Sequence, residues 1–335
     1  MINKIYEKTI KFIKEEYLFI IFLLVILFLG LYRLPYNIYT GGGIINIENR
    51  LEVTDEKKFN GSYNLAYVKS VRATIPMYLL SYVFDWERES IEEVKIDAND
   101  NPKDMWEREK LYLQEANDSA IISAFKLSDE EITINSEILK VLYIDMNSET
   151  DLEIGDTILA INNVSLKEFS DIKEIVKDLN VGDKIDIKYL RDGKEQNGYF
   201  ILREIDHEKK VGVYLIKLFD YDTEKKVQLK FRNSEGGSSG GFITSLAIYT
   251  KLTGIDLLKG RKVVGTGTID NNGNVGEIGG VKYKLMGAVK NKADVFLVPE
   301  ENYEEAIKVK EEKKYKIDVV KIKTLEEAVN YLKGE

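Results

Sequence analysis

The sequence predicts a mixed α/β (α+β) protein with a β-rich domain in its middle and one transmembrane helix at its amino terminus. Three observations support this prediction. Residues 17–32 are apolar and carry no charge, residues 128–205 contain several short strand-like segments, and residues 206–335 alternate between strand-like and helix-like segments. Alternating strands and helices are typical of layered α/β structures, in which helices cover a sheet.

The same observations divide the chain into four parts, which are residues 1–36, 37–127, 128–205 and 206–335. We expect the first part to be a cytoplasmic amino terminus with a membrane anchor. The second should be a region of strands and helix, outside the cytoplasm, that packs on the last part. A helix is predicted over residues 105–126, where apolar residues recur without Gly or Pro. Gly41-Gly42-Gly43 is interpreted as a flexible or close-packed turn.

The apolar stretch Tyr17–Tyr32 is interpreted as the transmembrane helix. Its 16 residues fall just short of the roughly 20 that span a bilayer, and residues 34–36 can extend it. No small-x-small cleavage site follows, which argues against a cleaved signal peptide. Lysines precede the stretch and Arg33 closely follows it, so the positive-inside rule predicts a single-pass protein with a cytoplasmic amino terminus and with the residues beyond about 36 outside the cell.

Composition removes several classes of function. The net charge is −9 with no strongly basic segment, which argues against nucleic-acid binding. The chain has no Cys, so disulfides, thiol nucleophiles and Cys-ligated zinc are excluded. The single histidine, His207, lies in a charged stretch that is typical of an exposed turn. A Ser-His-Asp enzyme would have to use that residue.

The third part, residues 128–205, is predicted to be a small β-rich domain. Residues 137–146 form a strand-like run, a helix is expected over Leu166–Leu179, and Arg191–Lys194 is typical of a β-hairpin turn.

The segment Gly236–Gly241 is the first candidate for chemistry. Four glycines surround Ser238 and Ser239 just before an apolar helix, which places hydroxyls on a tight turn with outward-pointing amides. Such a turn suits a bound phosphate, a flexible linker, or a nucleophilic serine whose neighbouring amides form an oxyanion hole. No Gly-x-x-x-x-Gly-Lys-Ser/Thr motif is present, and the apolar run that follows is atypical of a linker.

A nucleophilic serine needs a base, and the composition leaves Lys, Asp, Glu or the terminal amine. A lysine can act only where desolvation lowers its pKa towards neutrality. After Gly279-Gly280, a predicted helix places Lys284 at helical spacing with Val281, Leu285 and Ala288, whereas Lys282 points elsewhere. Helical spacing therefore favours Lys284 over Lys282.

Five motifs of the fourth part, in order and spacing, resemble the proteolytic domain of Lon, a Ser-Lys dyad family. They are Gly237-Ser238-Ser239-Gly240-Gly241, Leu252-Thr253-Gly254, Gly265-Thr266-Gly267-Thr268-Ile269, Gly273-x-Val275-x-x-Ile278-Gly279-Gly280-x-x-x-Lys284 and Val298-Pro299-x-x-Asn302. The resemblance implies that Ser239 is the nucleophile, that Lys284 is the base, and that Thr266 hydrogen-bonds the lysine. Amides of the turn over Gly237, Ser238 and Gly240 are expected to hold the oxyanion.

The serine motif departs from the family's usual Gly-Pro-Ser-Ala-Gly at two positions. Ser238 replaces the proline and Gly240 replaces the alanine, and Gly236 stands where an aspartate often precedes the nucleophile. The adjacent hydroxyl keeps Ser238 open as an alternative nucleophile.

The third part resembles a PDZ domain in the phrase Gly155-Asp156-x-Ile158-x-x-Ile161-Asn162-x-x-x-Leu166. The order of anchor, PDZ-like domain and Lon-like domain resembles the YlbL/SepM group of membrane-anchored Lon-type (S16) proteases, which lacks the ATPase module of Lon. The resemblance implies an ATP-independent serine endopeptidase that needs no cofactor or metal and cleaves flexible peptides or exposed protein segments. The alternative is a catalytically inert, surface-tethered scaffold that binds peptides. Assembly into a homo-oligomer is left open.

Overall fold

A computed structural model describes residues 2–54, 57–96, 100–205 and 207–334, with the side chains of residues 2–5 left out. The helices are α1 (Ile2–Leu31), α2 (Ile75–Leu80), α3 (Ile91–Val94), α4 (Pro102–Leu127), α5 (Phe169–Val176), α6 (Gly241–Thr253), α7 (Val281–Lys290), α8 (Glu300–Glu312) and α9 (Leu325–Lys333). The strands are β1 (Arg33–Asn46), β2 (Leu51–Val53), β3 (Ser62–Thr74), β4 (Glu87–Ser90), β5 (Ile132–Ile144), β6 (Thr157–Ile161), β7 (Val164–Ser165), β8 (Lys184–Arg191), β9 (Lys194–Ile201), β10 (Arg203–Ile205), β11 (Glu208–Lys210), β12 (Val213–Thr223), β13 (Val227–Leu229), β14 (Lys262–Gly265), β15 (Thr268–Ile269), β16 (Val275–Gly276), β17 (Val295–Pro299) and β18 (Asp318–Ile322).

The chain divides into two compact units. The first consists of Met1–Gly41 and Val68–Lys95, and the second of Gly42–Tyr67 and Ile96–Glu335. Strands β1 and β3 each contribute residues to both units.

The first unit contains α1, α2, α3, β4 and parts of β1 and β3. Strand β1 pairs antiparallel with β4, with Tyr36 opposite Ser90 and Tyr39 opposite Glu87.

Helix α1 deviates from helical geometry at Glu16, and the residues after that point expose their apolar side chains. In the part of the chain that the structure describes, no helix meets the length and apolarity required of a membrane span.

The Gly41-Gly42-Gly43 segment lies within β1, so its interpretation as a turn is wrong. A Cβ atom on Gly42 would lie 2.0 Å from the carbonyl oxygen of Tyr67. Glycine is therefore needed at Gly42 because another backbone passes too close for any side chain.

The core of the second unit is a parallel sheet covered on both faces. The carboxyl-terminal strands β14, β17 and β18 lie parallel in that order, and β14 also pairs in parallel with residues 62–65 of β3. Successive strand residues point to opposite faces. Val263 and Leu297 accordingly pack with α4, α6 and α9, whereas Val264 and Phe296 pack with α7 and α8.

The β-rich part of the second unit has a separate sheet and a separate apolar core. The strand order is β12-β5-β6-β8-β9, with β7 paired to β6, and α5 packs on this core. The predicted hairpin is confirmed: β8 and β9 pair with Arg191 opposite Lys194, and both turn residues have positive φ. The predicted helix over residues 166–179 is present as the shorter α5. Strand β12, which the sequence division assigned to the last part, pairs with β5 along its length.

Candidate active site

Ser239 lies in the turn that leads into α6. Gly237 has φ +90°, a conformation that favours glycine, and α6 begins two residues after the serine. Residues 241–252 of α6 are all buried, so the helix is held rigidly in the core. The amino terminus of a helix carries a partial positive charge, which stabilises negative charge that develops beside the serine.

The backbone amides of this turn have different partners. The Gly237 amide donates to the Glu109 carbonyl at 2.8 Å, and the Gly241 amide donates to the Ser238 carbonyl at 3.1 Å. Within the described ranges, the amides of Ser238, Ser239 and Gly240 have no acceptor. These three amides are therefore the candidate donors to an oxyanion, whereas the Gly237 amide, which was also expected to contribute, is already bonded to α4.

The backbone of Ser239 is fixed from the opposite side by the residues that follow β14. Its carbonyl oxygen accepts hydrogen bonds from the Thr266 hydroxyl at 3.1 Å and from the Gly267 amide at 2.8 Å. Thr266 is fully buried. The resemblance implied a bond between Thr266 and Lys284, but the Thr266 hydroxyl donates to Ser239 instead. Across the described residues no hydrogen bond joins Thr266 to Lys284.

Lys284 is buried on α7. Only 4% of the residue is exposed, and the neighbours Val281, Leu285 and Ala288 on its helical face are fully buried, as the helical spacing predicted. Burial lowers the pKa of Lys284 from 10.5 to about 8, because the charged ammonium loses its hydration. No carboxylate forms an ion pair with it anywhere in the described chain, so nothing opposes the neutral form. Lys282 is less buried and lies against the ring of Tyr283.

The segment that leads into α7 is fixed by Asn302. The Asn302 side chain accepts from the Ile278 amide at 2.9 Å and donates to the Ile278 carbonyl at 3.0 Å. Gly280, with φ +71°, then starts the helix. This role of Asn302 was not predicted, although the residue lies in one of the five motifs.

Glu109, on α4, is a neighbour of the serine turn that sequence reasoning missed. A Cβ atom on Gly236 would lie 2.9 Å from the Cβ of Glu109, and one on Gly237 would lie 3.0 Å from its carboxyl Oε2. Desolvation raises the pKa of this carboxyl, and the adjacent Arg108 opposes the rise. Helix α4 thus occupies the space beside Gly236, the position where the Lon motif often has an aspartate.

The other departure in the serine motif also has a packing reason. A Cβ atom on Gly240 would lie 2.8 Å from the Leu65 side chain. Glycine in place of the usual alanine therefore makes room for Leu65, which lies on β3.

His207 is exposed, as predicted. Its side chain is 99% accessible and lies 3.6 Å from Glu204. The histidine contributes to no buried site, so the serine has no imidazole base in this chain.

Comparison with known proteins finds relatives of the carboxyl-terminal part. Residues 232–333 match the family model of the Lon protease (S16) C-terminal proteolytic domain. The Lon protease of Neorickettsia sennetsu is 29% identical over 102 residues, which cover 30% of this chain and 12% of that protein. Lon protease 2 of Borreliella burgdorferi is 31% identical over 126 residues, which cover 36% of this chain and 16% of that protein.

Among solved structures, the PDZ domain of the SdrC-like protein from Listeria monocytogenes is similar to part of this chain. The identity is 21%, the match covers 26% of this chain and 93% of that domain, and the TM-score is 0.22. The curated relatives are matched over only 11–16% of their own length. Residues 232–333, which contain Ser239, Thr266 and Lys284, therefore match the proteolytic domain of Lon-type (S16) serine peptidases.

Proposed function

We propose that this protein is a membrane-anchored, ATP-independent serine endopeptidase in which Ser239 is the nucleophile and Lys284 is the general base. The observation that carries the proposal is Lys284, a buried lysine with no ion-pair partner in the described residues and with a pKa lowered to about 8. It lies in the segment that matches the Lon proteolytic domain. A structural lysine that is buried alone costs free energy, so chemistry is the better explanation.

The proposed mechanism has two stages. Neutral Lys284 takes the proton from Ser239 Oγ as that oxygen attacks the peptide carbonyl, and the amides of Ser238, Ser239 and Gly240 stabilise the oxyanion. The protonated lysine then gives its proton to the leaving amine. Water hydrolyses the acyl-enzyme, with Lys284 again as the base. Thr266 positions the serine through its bond to the Ser239 carbonyl.

The β-rich domain is proposed to present the substrate. Strand β12 ends its sheet, with β5 on one side and no further strand on the other among the described residues. An extended peptide can add to such an edge through backbone hydrogen bonds. Flexible peptides and exposed protein segments are therefore the proposed substrates.

Helix α1 is proposed to anchor the protein, with the amino terminus in the cytoplasm and the catalytic domain outside the cell. The support is its charge-free segment from Tyr17 onwards, whose apolar side chains are exposed on the helix surface. Exposed apolar side chains in such number are stable when lipid covers them.

The test is peptide cleavage by the purified full-length chain in detergent or lipid nanodiscs. Ser239→Ala and Lys284→Ala should each lower kcat/KM by at least about a thousandfold, because nucleophile and base act as one unit. Ser238→Ala and Lys282→Ala are the matched controls and should retain most of the activity. Loss of cleavage in Ser238→Ala alone would identify Ser238 as the nucleophile. A wild-type protein that binds peptide but does not cleave it would favour the inert scaffold.

A further inference from the structure

The first unit carries an exposed apolar tip at the end of α2 and in the turn that follows. We call Leu79, Leu80, Tyr82, Val83 and Phe84 the apolar tip. Their exposed fractions are 61%, 42%, 65%, 77% and 52%, and α2 itself buries no residue. The exposure of five neighbouring apolar side chains to water is unfavourable in free energy, and it indicates a surface that binds a partner.

Aromatic rings form the base of the apolar tip. The Tyr78 ring lies between those of Tyr36 and Tyr82, tilted against the first and edge-on to the second, with ring centroids 4.9 Å and 5.8 Å apart. Phe84 stacks on Trp86 at 5.1 Å. Tyrosine and tryptophan rings next to a group of apolar side chains are typical of a membrane–water interface. There, the polar end of the ring contacts water and the rest contacts apolar groups.

The position of the tip within the first unit favours lipid over a protein partner. Helix α2 contacts α1, and Tyr36, whose ring contacts Tyr78 of α2, lies five residues after the end of α1. The tip is a short helix and one turn, whereas a stable protein interface takes about 20 to 30 residues from each side. Asp85, Glu87 and Glu89 follow the tip and outnumber Arg88, whose guanidinium lies 3.9 Å from the centre of the Tyr82 ring, so attraction to anionic headgroups is not what holds the tip.

We propose that the apolar tip inserts into the interfacial layer of the membrane to which α1 is anchored, as a second attachment point of the first unit. The inference rests on the proposed anchor. Insertion removes the five apolar side chains from water and leaves the tyrosine and tryptophan rings at the level of the headgroups. Since the contact is apolar, zwitterionic lipid is sufficient and salt should have little effect.

The chain has two tryptophans, which makes the proposal directly measurable. Full-length Trp106→Phe, with Trp86 as its only tryptophan, is reconstituted into phosphatidylcholine vesicles that contain lipid brominated near the headgroup end of the acyl chain. We expect about half of the Trp86 emission to be quenched, because bromine quenches indole only at short range and Trp86 would lie at the interface. Full-length Trp86→Phe, which reports Trp106 on α4 of the second unit, gives the quenching of the other tryptophan in the same vesicles for comparison.

The variants Leu79→Asp and Val83→Asp, made in the Trp106→Phe protein, should reduce Trp86 quenching. Val164→Asp is the matched control, since Val164 is exposed to a similar extent in the β-rich domain. Vesicle flotation separates the two hypotheses. If the protein floats but Trp86 is not quenched, the insertion of the apolar tip is wrong and the anchoring by α1 still holds. If the protein does not float, both hypotheses are wrong. Self-association in detergent that Val83→Asp abolishes, without quenching in vesicles, would assign the tip to a second copy.

Discussion

Lys284 is held in an environment that opposes its charge. The residue is buried on α7 beside the buried apolar residues Val281, Leu285 and Ala288, and burial is the cause of its lowered pKa. A pKa that is lower in the folded state than in the unfolded chain means that folding is opposed at every pH where the lysine would otherwise be protonated. The residue that is proposed to perform the chemistry therefore destabilises the fold.

Replacement by an uncharged side chain of similar length should therefore stabilise the protein. The unfolded chain holds the lysine proton up to a pH of about 10.5, and the folded state releases it at about 8. Stability should thus be lowest below pH 8 and rise between pH 8 and 10.5. Lys284→Met should raise the free energy of unfolding at pH 7 by about 3 kcal/mol, and the gain should disappear by about pH 10.5. Urea denaturation at the two pH values measures this, and Lys282→Met should show no such gain.

The same pKa predicts the pH dependence of catalysis. Only the neutral lysine can accept the serine proton, so kcat/KM should rise about tenfold per pH unit below pH 8 and level off above it. Hydrolysis of a fluorogenic peptide across pH 6 to 10 gives the profile. A rate that is flat across pH 8, or that falls with rising pH, would rule out Lys284 as the base.

At the scale of the elements, α4 connects the serine turn to the β-rich sheet. Near its start, the Glu109 carbonyl accepts from Gly237. Further along, Ser123 and Ser245 share a hydrogen bond of 2.8 Å that joins α4 to α6. Between these points, Asp118 accepts from the Phe219 amide of β12 at 3.0 Å. One helix therefore contacts the turn that carries Ser239, the helix α6 that follows it and the proposed peptide-binding strand.

The buried Asp118 carboxyl should destabilise the fold most when it is charged, because burial removes its hydration and the hydrogen bond from the Phe219 amide compensates for only part of that loss. Burial raises the pKa of Asp118 from 3.8 to about 6, and the Phe219 amide only partly opposes the rise. The folded state therefore binds the proton more tightly than the unfolded chain, and stability should fall as the pH rises from about 4 through 6.

Asp118→Asn keeps an acceptor for the amide and removes the charge. It should stabilise the protein by about 1–2 kcal/mol at pH 7, allowing for partial exposure, and should have little effect at pH 4. Thermal or urea unfolding at the two pH values checks the prediction. Asp118→Ala, which removes the acceptor, is the control and should destabilise the protein at pH 4 by about 1 kcal/mol.

Local elements were predictable where local patterns are strong. The helix predicted over residues 105–126 is α4 within a few residues, and the hairpin at Arg191 is present because its turn chemistry is local. The burial of Lys284 on one face of α7 was predicted from helical spacing. The Glu109 contact, the pairing of β12 with β5 and the Thr266–Ser239 bond join residues that are distant in the chain. No periodicity reports such contacts, so sequence reasoning missed the first two and gave Thr266 a different partner.

At the scale of the whole molecule, the described residues form three apolar clusters in the second unit, one on each face of the parallel sheet and one in the β-rich sheet. The sequence has no phosphate-binding Gly-x-x-x-x-Gly-Lys-Ser/Thr motif that would couple nucleotide hydrolysis to the unfolding of a substrate. Under the proposed ATP-independent function, access to the serine should depend on how flexible the substrate already is.

This dependence predicts a preference among whole proteins. A small disulfide-bonded protein should be cleaved at least about tenfold faster after reduction and alkylation than in its native form, because only the unfolded chain can present an extended segment. Gel electrophoresis of both forms measures the rates, with Ser239→Ala as the blank. Addition of ATP and magnesium should change neither rate. Acceleration by ATP on the native form would contradict the prediction.

The exposed position of His207 has a consequence for inhibitor chemistry. Many reagents against serine proteases first add to the serine and then alkylate the neighbouring imidazole, and this chain has neither a histidine nor a cysteine in its buried site. Peptidyl chloromethyl ketones should consequently leave the enzyme active. Peptide boronates, which need only the serine oxygen and the backbone amides around it, are the class of compound that matches this site.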